Sequence, residues 1–366
     1  MEDEFSPNAG GDIGAAPETK CLARFWRVKA EGAILVFNCS DPAAGRFLVD
    51  VSGTAESLLH TYDLACHRRM AENAGNEKGG RTRTLFGAWV SAGAGRFGSA
   101  MVYAPRSRKR MAMILDNARS VLDPGAPLAL VGQVRAGIRG MRRIIEEAGF
   151  RVRRTDSAFH CVVMTALTPQ EETVSRGLEG WRNCYAVPAM NREVKVVDFP
   201  GVFSEGELDP GSRMLLETFD EREFLEVLDL GSGAGILGTA FRLAWPKSTV
   251  HMVDSDALAV EAGRRTLAAN GLNGDGVWAS DVFSHVTKSY DLIVCNPSFH
   301  SGAEASIKMA GSFLKGCRVH LKRGGRIRIV ANRFLRYAPL IKRELGGFKV
   351  LREDGKYRVY EAFRVG

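Results

Sequence analysis

The stretch Glu226-Val-Leu-Asp-Leu-Gly-Ser-Gly-Ala-Gly235 decides the fold. Val227–Leu230 reads as a short buried strand, and it runs into a turn holding Gly231, Gly233 and Gly235. An apolar helix, Ile236–Leu243, follows at once. Glycine tolerates a left-handed backbone and lets a ligand approach without a Cβ in the way. The helix start offers unpaired N–H groups to a ligand. Strand, glycine turn and helix in this order open a βαβ unit, which implies a parallel sheet covered by helices. Downstream, Val250–Val253 is the next strand, and Asp254 closes it 19 residues past Gly235. A carboxylate there can accept both hydroxyls of a ribose. After a helix over Ala257–Asn270, the strand ending at Asp281 brings a second acid to the same edge, placed for an adenine amine. Gly231, Gly233, Gly235, Asp254 and Asp281 therefore form the expected cofactor set, and Asp229, Ser232, Ser255 and Val282 beside them are counted with it. The turn alone fits either a dinucleotide or S-adenosylmethionine (SAM). Asp254 has the alternative of capping the helix that follows it, and Asp281 that of a plain loop carboxylate.

A fourth strand ends in Asp291-Leu-Ile-Val-Cys-Asn-Pro-Ser-Phe-His300. An exocyclic amine on a nucleobase is a poor nucleophile, because its lone pair is delocalised into the ring. Two acceptors bonding its hydrogens favour the pyramidal, reactive form. The Asn296 side-chain oxygen and the Pro297 carbonyl can supply them, with proline restricting the backbone. Phe299 offers a face on which a flipped-out base can stack. Asn296, Pro297 and Phe299 are the expected catalytic residues, and His300 is a possible substrate contact. Asn-Pro by itself also suits an ordinary turn.

The chain repeats itself. Val121-Leu-Asp-Pro-Gly-Ala-Pro-Leu-Ala-Leu-Val-Gly-Gln133 parallels His320-Leu-Lys-Arg-Gly-Gly-Arg-Ile-Arg-Ile-Val-Ala-Asn332. Arg142–Phe150 parallels Ile341–Phe348, and Ala100–Pro105 parallels Leu292–Pro297. Each copy ends in a strand, Ala158–Ala166 in the first and Tyr357–Val365 in the second. The same order at nearly constant offset predicts two related Rossmann-like α/β domains, with a boundary between Thr168 and Lys195. The second is expected to be a seven-stranded sheet whose last hairpin turns at Asp354-Gly355. The first has Ala104 where the second has Asn296, and Arg106-Ser-Arg-Lys-Arg110 follows its Pro105. It reads as a copy without catalysis but with a binding face. The expected organisation is a disordered tail over 1–20, a degenerate RNA-binding domain over 21–180 and a catalytic domain over 181–366.

Composition fits this reading. Formal net charge is +8 over 366 residues. Arg106–Arg154 carries twelve Lys/Arg against four Asp/Glu, and Lys315–Arg358 carries fourteen against three. Two basic stretches suit a phosphate-tracking surface, with a solvated helix face as the plainer alternative. Seven scattered cysteines without a CxxC pair fit reduced thiols in the cytoplasm rather than a disulfide framework or a metal site. No apolar run approaches the ~20 residues of a membrane-spanning helix. The acidic, Gly/Ala/Pro-rich segment up to Thr19 lacks the pattern of a secretory signal.

Together these residues resemble the class I SAM-dependent methyltransferases, and within them the amine methylators with an Asn-Pro-Pro-Phe/Tyr motif. More closely, the chain is similar to the two-domain guanine-N2 methyltransferases of ribosomal RNA, methyltransferase types C and G, which act on 16S and 23S RNA. Phe199-Pro-Gly-Val-Phe-Ser204, Leu208-Asp-Pro-Gly-Ser212, Asp229–Gly235, Asn296–His300 and Lys356–Tyr360 carry the likeness. Ser298 departs from it, standing where the family usually has a second proline. The resemblance implies SAM as cofactor, with Phe203, Ser204, Asp209, Gly211 and Ser212 over its methionine end and Asn296 beside it. It also implies that Gly132–Arg139 is the degenerate counterpart of the cofactor loop. The residues themselves show only a turn-rich segment here, with Ser212 capping a helix over Arg213–Thr218. Arg106, Arg108, Lys109, Arg110, Arg135, Arg139 and His300 are the expected RNA contacts, with ribosomal RNA or a ribosomal subunit as partner. The 16S RNA is favoured over 23S. Adenine N6 or protein glutamine N5 are alternative methyl acceptors. A nicotinamide-dependent oxidoreductase and a non-catalytic RNA-binding module are more remote. Oligomeric state is not legible in the sequence.

Overall fold

A computed structural model describes residues 14–26, 32–45, 56–75, 81–171, 174–203, 206–219, 223–297, 303–335 and 337–364. The chain forms two compact units, Met1–Thr61 with Ala65–Gly177, and Tyr62–Leu64 with Leu178–Gly366. Each is built on one seven-stranded sheet.

In the first unit the strands are β1 (Ile34–Phe37), β2 (Ser57–Thr61), β3 (Thr82–Phe86), β4 (Ser99–Tyr103), β5 (Pro127–Gln133), β6 (Arg151–Ala158) and β7 (Cys161–Leu167). Their order across the sheet is β3-β2-β1-β4-β5-β7-β6. A separate hairpin, β8 (Asn183–Ala189) with β9 (Arg192–Asp198), opens the second unit. Its sheet comprises β10 (Glu226–Leu230), β11 (Thr249–Asp254), β12 (Val277–Ala279), β13 (Tyr290–Cys295), β14 (Leu321–Asn332), β15 (Phe348–Glu353) and β16 (Tyr357–Phe363). The order β12-β11-β10-β13-β14-β16-β15 repeats that of the first unit strand for strand. In both, only the strand inserted last, β7 or β16, runs antiparallel to its neighbours. The tandem Rossmann-like architecture follows.

The central strands are near-continuous apolar runs because helices cover both faces. All four residues of β1 are buried, as are Leu292, Ile293 and Val294 of β13. Close helix–sheet packing in the second unit depends on glycine. A Cβ on Gly238, in the helix Ile236–Ala244, would lie 2.3 Å from Met252 Sδ of β11.

Four expectations are corrected. Pro17–Lys20, assigned to a disordered tail, form the first turn of helix α1 (Pro17–Phe25), which buries Thr19, Cys21 and Leu22. Residues 1–13 lie outside the described residues. The segment Ala158–Ala166 is not one strand. Phe159 and His160, both with positive φ, turn the chain between β6 and β7. The helix after Leu208 is Pro210–Leu216, and its cap is Asp209, whose side chain accepts the Ser212 N–H; Ser212 does not cap it. Finally, Gly132–Arg139 comprises the last two residues of β5 and the segment after it; β5 is the partner of β14 in the repeat, so this is not the counterpart of the cofactor loop. That counterpart follows β1, at Asn38-Cys-Ser-Asp41, where no glycine remains.

Candidate active site

Parallel strands deliver their C-terminal ends to one edge of the sheet, and in the second unit that edge collects the expected residues. The glycine turn follows β10 with Gly231, Gly233 and Gly235 all left-handed, at φ 73, 54 and 77. The N–H groups of Gly231 and Ser232 donate to the Val253 carbonyl at 2.9 and 3.0 Å, tying the turn to the end of β11. Asp254 docks onto the turn as well: Gly233 N–H donates to its Oδ2 at 2.9 Å. The capping alternative for Asp254 fails, since Asp256 caps the next helix by accepting the Leu258 N–H. Ser255 sits half-buried between them. At the end of β12, Ser280 N–H donates to the Asp254 carbonyl, which brings Asp281 and Val282 to the same edge. Val282 is 42% exposed with φ 50, a strained conformation for a β-branched residue. Ser280 Oγ holds it by donating to its carbonyl at 2.9 Å.

Beneath the turn, Asp229 is buried, and its Oδ2 accepts the Gly238 N–H at 2.9 Å. Burial drives its carboxyl up to about 7, opposed by the Gly238 bond and assisted by the charge of Asp254. Burial likewise lifts Asp254 to about 6. Among the described residues, Asp229 Oδ1 and Ser232 Oγ are buried without a hydrogen-bond partner. Buried polar atoms are normally satisfied, so these two await a ligand's donors. The hydroxyls and ammonium of SAM are such donors, and its positive charge suits the two carboxylates. A dinucleotide's pyrophosphate would meet like charge there. The residues fit SAM.

Asp229 pairs in register with Val294, so Asn296 emerges one strand over from the cradle. Its amide is clamped. Asn296 Nδ2 donates to Asp209 Oδ2 at 2.6 Å and to Ser212 Oγ at 2.9 Å. A carboxylate accepts only, so the nitrogen must face Asp209, and both amide hydrogens are committed. Oδ1 is thereby presented as an acceptor. Gly211 makes room for the clamp, since a Cβ there would lie 3.0 Å from Asp209 Oδ2 and 3.4 Å from Asn296 Nδ2. Phe203, 42% exposed, approaches Gly233, whose added Cβ would come within 3.9 Å of Phe203 Cβ. Pro297 is half-buried beside Asn296. Ser204, Ser298, Phe299 and His300 lie outside the described residues. The chemistry of the sequence did not reveal the clamp, because its two halves lie 87 and 84 residues apart.

The same place in the first unit is filled. Ala16-Pro-Glu-Thr-Lys-Cys-Leu22 corresponds to Asp209-Pro-Gly-Ser-Arg-Met-Leu215, a fifth repeat visible only once α1 is known. Thr19, matching Ser212, donates to the buried Asp41 and lies 2.7 Å from the Tyr103 hydroxyl. Ala104 stands for Asn296 and Glu18 for Gly211. Of the expected RNA contacts, Arg106, Arg108, Lys109, Arg135 and Arg139 are exposed. Arg110 departs from expectation. It is half-buried, one guanidinium nitrogen is cut off from solvent, and its charge adds to the burial that pushes His60 down to about 4. Among the described residues no cluster of His, Cys, Asp or Glu could hold a metal ion.

Known proteins resemble this chain over both units. Residues 193–361 match the methyltransferase small domain family, and residues 48–185 match the methyltransferase small domain N-terminal family. The ribosomal RNA small subunit methyltransferase C of Pseudomonas entomophila (strain L48) is 40% identical over 268 residues, covering 73% of this chain and 80% of that protein. The protein of the same name from Pseudomonas putida (strain KT2440) is 38% identical over 275 residues, covering 75% and 82%. The T. thermophilus 16S rRNA N2 methyltransferase, solved in complex with AdoMet and guanosine, shares the fold. It matches at TM-score 0.77 and 24% identity over 96% of this chain and 94% of that one.

Proposed function

Because the chain belongs to the ribosomal RNA small subunit methyltransferase C family, we propose that it methylates the exocyclic N2 of a guanine in 16S ribosomal RNA, using SAM. When bound, SAM supplies a methyl group made electrophilic by its sulfonium. Asp254 and Ser255 hold the ribose hydroxyls, Asp281 and Val282 the adenine, and Asp229, Ser232 and the glycine turn the methionine end, under Phe203. Asn296 Oδ1 and the Pro297 carbonyl accept the two hydrogens of the guanine amine and turn its lone pair out of the ring plane. No strong base is required. Most of the acceleration comes from alignment and from acceptors fixed in advance. The single observation carrying this reading is that both Asn296 amide hydrogens are spent on Asp209 and Ser212, leaving its oxygen for the substrate.

The first unit contributes the phosphate-binding surface through its exposed arginines. With ribosomal RNA as substrate, the protein works in the cytoplasm, on naked RNA or on an assembled ribosomal particle. No helix among the described residues is long and apolar enough to cross a membrane.

The test is methylation with isotopically labelled SAM, run side by side on deproteinised 16S RNA and on small ribosomal particles, followed by nucleoside mass spectrometry. N2-methylguanosine is expected. N6-methyladenosine, or label confined to protein, would replace this reading with one of its two rivals.

A further inference from the structure

The edge that presents Asn296 in the second unit is a basic rim in the first. Arg106, Arg108 and Lys109 follow β4, and Arg135 and Arg139 follow β5. The β6–β7 hairpin closes on this same edge, because β7 starts where β5 ends: Cys161 pairs with Gln133, and Val134 N–H donates to the His160 carbonyl at 2.9 Å. Its two turn residues are Phe159 and His160, at φ 53 and 58. A two-residue turn with both φ positive strongly prefers Asn-Gly or Asp-Gly, because a Cβ is crowded there. A bulky residue in that conformation is an outlier that the surrounding structure must hold.

Packing does not explain the choice. Phe159 is 48% exposed and His160 is exposed too. Nor does the fold demand it, since the matching β15–β16 hairpin turns through Asp354-Gly355-Lys356 with none of the three at positive φ. An exposed aromatic in a strained turn, on the sheet edge that also carries Arg135 and Arg139, matches the needs of one ligand class. Unpaired bases stack on aromatic faces whatever their identity, while neighbouring cations take the phosphates. A duplex offers no open base face to such a tip.

We infer that Phe159-His160 is a base-stacking tip that engages single-stranded RNA. This rests on the first unit's proposed role in RNA binding. The experiment uses the full chain and fluorescence anisotropy with a labelled single-stranded oligoribonucleotide, free or annealed to its complement. Phe159→Asn with His160→Gly installs the favoured turn. That variant should melt at the same or a higher temperature and bind S-adenosylhomocysteine as the wild type does. Its single-strand affinity should fall about tenfold, with duplex affinity little changed. Phe159→Trp, which keeps a stacking face, should retain single-strand affinity. Unchanged single-strand binding by the Asn-Gly variant overturns the tip, as does an equal loss on both RNAs. Failure of the wild type to bind either RNA instead removes the first unit's RNA role altogether.

Discussion

Asp209 and Asn296 are joined by a 2.6 Å hydrogen bond from the amide nitrogen to a carboxylate oxygen that also caps a helix. One carboxylate therefore orders the segment before the sheet and sets which way the amide of the reacting strand faces. A hydrogen bond to a charged acceptor is among the stronger kinds, so the orientation is fixed before substrate arrives.

Removing that amide should separate chemistry from cofactor binding. Asn296→Ala is expected to lower kcat by about 10²–10³-fold, the usual loss for one preorganised polar contact in a transition state. Affinity for S-adenosylhomocysteine, measured by calorimetry, should stay nearly unchanged. Matched losses in both would mark the residue as structural.

Exchange of the two partners should restore part of what either change loses. Asn296→Asp alone sets two carboxylates against each other and should be nearly inactive. Adding Asp209→Asn reverses the direction of the hydrogen bond and leaves a carboxylate oxygen facing the amine. Steady-state kinetics on the four proteins form a double-mutant cycle. Additive losses would show that the pair does not act as a clamp.

Asp229 and Asp254 predict a pH signature. Both folded values, about 7 and about 6, lie above the ordinary aspartate value of 3.8. Between roughly pH 4 and 7 the native state thus holds protons that the unfolded chain has released. Stability of the ligand-free protein should fall as pH rises through that window and level off above it. The cofactor's donors favour the carboxylate forms, so its affinity should rise over the same range. Thermal melts with and without S-adenosylhomocysteine read both trends, and Asp229→Asn should flatten them.

Charge reversal on the first unit should distinguish binding from folding. Arg106→Glu with Arg108→Glu should weaken RNA binding and reduce the salt slope by about one per lost phosphate contact, with cofactor binding intact. Arg110→Glu should instead lower the melting temperature, because that side chain is half-buried near His60. An equal RNA defect without loss of stability would return Arg110 to the rim.

Much of the second unit was legible in the sequence. Strands covered on both faces write apolar runs, as in Leu292–Cys295 and, interrupted only by Asp229, in Val227–Leu230. The left-handed turn after β10 admits little but glycine, and Asn-Pro at a strand end names an acceptor pair. Helix α1 was hidden for the opposite reason. Its stabilising contacts are remote, with Thr19 meeting Tyr103 84 residues away, while its approach through Gly14, Ala15 and Ala16 has a solvated composition. The misplaced loop counterpart at Gly132–Arg139 shows the same limit, because a strand's rank in a sheet is set by pairing and not by local residues.

By itself the sequence determined the parallel sheets, their duplication and the glycine turn at the end of β10. These depend on backbone conformations and periodicities that a few neighbouring residues impose. Only the tertiary structure decided that Asp209 orients Asn296, that Thr19, Asp41 and Tyr103 fill the first unit's equivalent site, and that Arg110 turns inward. Such contacts join residues far apart along the chain, and chain closure, not local preference, brings them within hydrogen-bonding reach.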